Sequence, residues 1–155
     1  MAPPPRLLVV VHSRQGSTRL LCDLAVGAAR RDVPGVEVQV LDAHQAGPDA
    51  VLAAGALLLA TPARFGSMAG MTQDFLERIY HPCLDRTVGL PWALLVKGDT
   101  DVDGAVTRVE RIATGLRWRR ALPPVTVVGS IAPEDGERAA DLGATLAAGL
   151  EAGIF

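Results

Sequence analysis

Ser13, Ser17 and Thr18 place three hydroxyls close together, with Gln15 and Gly16 between them, directly after the apolar run Leu7–Val11 and directly before a helical pattern. Such a turn presents hydroxyl donors and the unpaired amides of a helix start to an anion, and a glycine lets the backbone bend around it. A phosphate can be held in this way without a cation. The turn has one glycine and no lysine, so it is neither a dinucleotide fingerprint, which needs three spaced glycines, nor a Walker A loop. Taken alone, it reads equally as a capped strand-to-helix turn.

Two more glycine-bearing loops follow apolar runs. One spans 61–67, with Thr61, Pro62, Ala63, Arg64, Phe65 and Gly66, and the other spans 97–104, with Lys97, Gly98 and Asp99. In an open parallel sheet, loops that follow strands emerge on one edge, where ligands bind. The third loop also satisfies the EF-hand pattern, since Asp99, Asp101, Asp103 and Gly104 are followed by Glu110 at the required spacing. An EF-hand needs an entering helix. Here the run Trp92–Val96 behind Pro91 reads as a strand, so helix capping by Asp103 is the simpler account.

The elements that must position these loops are legible in the hydrophobic pattern. Leu7–Val11, Ala56–Ala60 and Trp92–Val96 are continuous apolar runs, as expected for strands covered on both faces. Val36–Val40 instead alternates apolar with polar and belongs near a sheet edge. Val125–Val128 makes a fifth strand. Helical spacing marks Leu20, Leu21, Leu24, Ala25 and Ala28 as one buried face, and Met68, Met71, Phe75, Leu76 and Ile79 as another, with Ser67 as an N-cap. Val106, Val109, Ile112, Ala113 and Leu116 mark a further helix, and Ala139, Leu142, Leu146 and Leu150 the last one. Five strands alternating with helices imply a parallel sheet, and the half-buried second strand favours the order 2-1-3-4-5.

The 155 residues suit one domain over 7–155, preceded by a flexible proline-rich tail at 1–6. That tail, with the short apolar run behind it, is neither a signal peptide nor a transmembrane span, so a cytoplasmic protein with no membrane partner is expected. Fifteen basic residues against seventeen acidic ones give a net charge of -2, which supplies no attraction for nucleic acid. Cys22 and Cys83 have no metal or redox spacing and read as reduced, buried thiols. His12, His44 and His81 suggest no metal cluster either.

Ser13-Arg14-Gln15-Gly16-Ser17-Thr18 resembles the phosphate loop of flavodoxins. Thr61-Pro62-Ala63-Arg64-Phe65-Gly66-Ser67-Met68-Ala69-Gly70 is similar to the corresponding segment of WrbA-type NAD(P)H:quinone oxidoreductases. The resemblance extends over most of the chain and implies an α/β, flavodoxin-like three-layer sandwich that binds FMN non-covalently. It implies that Ser13, Gln15, Gly16, Ser17 and Thr18 hold the FMN phosphate. Thr61, Pro62, Ala63, Arg64, Phe65 and Gly66 would line the isoalloxazine, and Lys97, Gly98 and Asp99 would join from the third loop. It further implies electron transfer from NAD(P)H through FMN to a quinone or similar small-molecule acceptor, and a homodimer or tetramer.

The chain departs from that family in two ways. It lacks an extra segment after the second strand, and it carries Leu116-Arg117-Trp118-Arg119 where a histidine beside the flavin is expected. Trp118 reads as core or interface, or as a substitute stacking group. A flavodoxin-type electron carrier, or a flavin-binding interaction protein without its own turnover, is the alternative. Carriers of that type are strongly acidic for docking, and this chain is nearly neutral.

Overall fold

The computed structural model describes residues 2–155. β1 (Arg6–Val11) lies inside the sheet, and its residues Leu7–Val11 are completely buried. Leu7, Val9 and Val11 face one side and Leu8 and Val10 the other, as the two-residue repeat of a strand requires. β1 pairs in parallel with β2 (Glu37–Asp42) and with β3 (Ala56–Arg64). No residue of β2 is fully buried, and it forms the sheet edge that its alternating pattern predicts.

β3 runs four residues beyond its apolar core and folds back as an antiparallel hairpin on β4 (Ser67–Met68), pairing Ala63 with Met68 and Arg64 with Ser67. β3 also pairs in parallel with β5 (Pro91–Gly98). The fifth position of the sheet is filled in two pieces, because β6 (Arg119–Arg120) pairs with the start of β5 and β7 (Val125–Val128) with its end. Pro123 and Pro124 lie between the two pieces and lack the N–H that a continuous ladder needs. The expected order therefore holds for five positions. The strand count is seven, not five, because one position is split and a hairpin is added.

Helices cover both faces. α1 (Ser17–Asp32) and α5 (Pro133–Ala152) bury Leu21, Ala25, Leu142 and Leu146 against Leu58, Ala93 and Leu95. α2 (Pro48–Ala53), α3 (Gly70–Cys83) and α4 (Asp103–Gly115) bury Val51, Phe75, Ile79 and Val109 against Leu57, Leu59 and Leu94. This is the flavodoxin-like three-layer arrangement. No helix among the described residues is long and apolar enough to cross a membrane.

Several local expectations need correction. Leu20 and Leu24 are 53% and 41% exposed, so the buried stripe of α1 is turned toward Cys22, Val26 and Ala29, where α5 packs. Ser67 does not cap α3. It belongs to the hairpin, and α3 begins after Ala69 with no side-chain cap. Asp103 does not cap α4 but is its first residue, and its N–H donates to Asp101 Oδ1 at 3.0 Å. Lys97 and Gly98 belong to β5 and not to a loop, because they pair with Val127 and Val128.

Candidate cofactor site

The first turn closes on itself through one hydroxyl. Ser13 Oγ accepts from the amides of Gly16 and Arg19, both at 3.2 Å, while Gly16 takes φ +95°, a conformation that side chains rarely adopt. The amides of Ser17 and Thr18, the first two of α1, have no partner among the described residues. α1 has no acidic residue in its first turn and no side chain on its cap. The helix start therefore presents free donors and an uncompensated positive dipole end to whatever lies above it.

Above it lies a cleft built from all three loops. Ser13, Arg14, Gln15, Ser17 and Thr18 form one wall, Pro62, Ala63 and Arg64 a second, and Lys97, Gly98 and Asp99 the third. They surround a narrow cleft that opens to solvent. Three cations, Arg14, Arg64 and Lys97, line it against one carboxylate, Asp99. Arg14 and Arg64 join no ion pair among the described residues, whereas the neighbouring Arg19 is held by Asp42 at 3.3 Å. In a chain whose net charge is -2, this local excess of positive charge suits an anion.

The other expected residues lie around the cleft rather than on its walls. Thr61 is fully buried behind it, where its Oγ1 meets Thr72 Oγ1 at 2.7 Å and accepts from the Ala69 amide at 3.4 Å, tying the end of β3 to the start of α3. Gly16 sits at the bend of the first turn. Phe65 and Gly66 form the hairpin tip at φ +50° and +71°, and the Phe65 ring is wholly exposed. Phe65 borders an adjoining groove with His12, Ser13, Arg14, Arg64 and Met68. Arg14, Arg64 and Ser13 form the ridge shared by that groove and the three-loop cleft.

The hairpin is also fixed to the third loop. At Gly104 an added Cβ would collide with the carbonyl of Gly66, so the start of α4 rests directly on the hairpin backbone. At Gly98 it would press on Ala63 and Val102, each at 3.0 Å. These close approaches hold the second and third walls together. Ser17 and Thr18 supply free amides, Gln15 and Ser17 side-chain donors, and Arg14, Arg64 and Lys97 positive charge, a set that fits a phosphorylated ligand such as FMN.

Sequence reasoning passed over three contributors. Arg14 occupies a variable position of the resembled loop, yet it lines both clefts. His12 borders the groove, and burial, followed by the nearby Arg64 guanidinium, lowers its pKa below the ordinary histidine value. Gly129, Ser130 and Ile131 form a fourth loop that meets Ser17, Lys97 and Asp99. Its signal was present, because Gly129 directly follows the apolar strand Val125–Val128. Trp118 is nearly buried and donates from Nε1 to Thr87 Oγ1 at 2.8 Å. It directly precedes β6 at the amino end of β5, away from the cleft. Glu110 accepts from Arg120 at 2.8 Å, and no metal-holding cluster occurs among the described residues.

The sheet order, with helices on both faces and the carboxyl ends of β1, β3 and β5 meeting at one cleft, defines a flavodoxin-like α/β fold. Solved structures share it. The chain resembles a flavodoxin from the domain Archaea, with TM-score 0.82, 15% identity, and coverage of 94% of this chain and 99% of that one. A flavodoxin of Streptococcus pneumonia TIGR4 gives 0.79 and 24%, over 92% and 98% of the two chains. A WrbA-like flavodoxin from Agrobacterium tumefaciens gives 0.78 and 16%, over 96% and 98%. No protein-family model matches the chain, and no curated protein matches it in sequence.

Proposed function

We propose that the chain binds FMN non-covalently in the three-loop cleft and acts as an NAD(P)H-dependent oxidoreductase on a quinone or similar small acceptor. One observation carries the reading. Free helix-start amides, hydroxyls and a local excess of positive charge line one cleft at the carboxyl ends of β1, β3 and β5. That is where a phosphate and its attached ring are held in an open α/β sheet.

Ser17 and Thr18 would hold the phosphate through their amides, and Gln15, with the Ser17 hydroxyl, would complete its donors. Pro62, Ala63 and Arg64 would set the ring against the hairpin, with Gly98 and Asp99 opposite. Bound flavin supplies the redox chemistry, taking two electrons from NAD(P)H and passing them to the acceptor. The protein contributes position and exclusion of water, so no acid/base pair is required. Thr61 acts at one remove, by locking the hairpin onto α3.

The carrier reading has an observation of its own. Phe65, wholly exposed on a positive-φ hairpin tip beside the cleft, is a suitable contact for a partner protein. Steady-state kinetics separate the two. FMN-loaded protein that consumes NADH or NADPH with benzoquinone at many turnovers supports the enzyme. Protein that accepts electrons from an added reductase, yet consumes neither nucleotide alone, supports the carrier.

A further inference from the structure

Lys97 is the only lysine of the chain, and its position in β5 is unusual for one. Ala93 and Leu95 of the same strand pack beneath α1 and α5, and Lys97 continues that face by the two-residue repeat. Its side chain therefore rises beneath the first turn of α1, and the residue is only 9% exposed. The nearest acceptors are the Gly98 carbonyl and Asp99 Oδ1, both at 3.5 Å, and the Asp99 side chain is itself 88% exposed. An ammonium has three donors, and these two long contacts, one an ion pair with an exposed carboxylate, satisfy a nearly buried charge poorly. Lys97 lines the three-loop cleft and also the groove formed with Ser17, Ser130 and Ile131, so the charge sits where the two meet.

A helix start alone offers partial charge, which neutral polar groups can also satisfy. A nearly buried, poorly partnered ammonium beside it asks for a full negative charge. We propose that Lys97 is a specificity residue that makes the site selective for a phosphate monoester over its unphosphorylated analogue. This inference rests on the flavin reading above, and for a flavin it means preference for FMN over riboflavin. Charge-assisted hydrogen bonds of this kind are about twice as strong as neutral ones.

The test uses the full chain freed of flavin, as wild type and as Lys97→Met, Lys97→Gln and Lys97→Arg. Each is titrated with FMN and with riboflavin by fluorescence, and with inorganic phosphate by ³¹P NMR. Wild type is expected to prefer FMN strongly. In Lys97→Met and Lys97→Gln that preference should fall about ten- to a hundredfold, with riboflavin affinity little changed, and Lys97→Arg should retain most of it. Unchanged riboflavin binding shows that the variants still fold. A preference for FMN that survives both neutral variants overturns the inference. If wild type takes up neither flavin, the flavin reading fails. Lys97-dependent binding of inorganic phosphate would then still support the inference, and its absence would overturn that too.

Discussion

His12 sits between a buried strand end and two arginines, and this sets the direction of its pH response. Burial lowers its pKa first, Arg64 lowers it further, and Asp42 opposes them, while Arg14 and His44 add to the lowering. The unfolded chain therefore binds a proton at higher pH than the folded one. Stability from this group is fully present above the ordinary histidine value of about 6.5, and is lost as pH falls through that value toward the lower folded pKa. Urea midpoints measured at descending pH should decline over that window, and His12→Gln should flatten the decline. Cys22 behaves differently. Burial pushes its thiol up to about 12, with Asp23 adding to the rise, so it stays protonated and should resist alkylation in the folded protein. Thiol labelling that is slow in native protein and fast in urea would confirm this.

At the scale of elements, the contact of α4 with the hairpin joins two walls of the cleft. Gly104→Ala would drive a methyl group into the Gly66 carbonyl, which neither backbone can easily vacate. Overpacking of this kind costs about 1–3 kcal/mol, and here it also parts the walls. Thermal unfolding should show the loss, with a weaker FMN affinity alongside it. Trp118→Phe serves as the counterpart. It removes the hydrogen bond to Thr87 at the amino end of β5, for about 1 kcal/mol. FMN affinity should be unchanged, since Trp118 stands away from the cleft.

The same elements show what the sequence discloses. Continuous apolar runs identify β1, β3 and β5 because burial on both faces removes polar residues, and the alternation of β2 marks the edge. The hairpin at Phe65 and Gly66 was hidden, because it depends on a positive-φ pair that residue type alone does not announce at phenylalanine. Lys97 and Gly98 read as loop, since a lysine seldom stays in a buried strand, and only their pairing with Val127 and Val128 reveals β5's true length. Arg14 was passed over for a different reason. Its role comes from the meeting of two distant loops, which no local pattern encodes.

At the scale of the molecule, ligand binding and stability are linked. A ligand bound only by the folded chain stabilises it by about 2.7 kcal/mol at a hundredfold excess over Kd. For a chain of this length that corresponds to a rise in Tm of roughly 5–10 °C. FMN should produce such a shift. Riboflavin at equal concentration should produce a smaller one, because it leaves the helix start and the Lys97 charge without a phosphate.

In the proposed binding mode, three separated turns hold one phosphorylated heterocycle. Calorimetric titration of the flavin-free full chain with FMN examines that mode most directly. Saturable binding of one FMN per chain is the predicted result, weakened when the cleft wall is disturbed by Gly104→Ala. Heats no larger than dilution, with FMN fluorescence unaltered by excess protein, would contradict it.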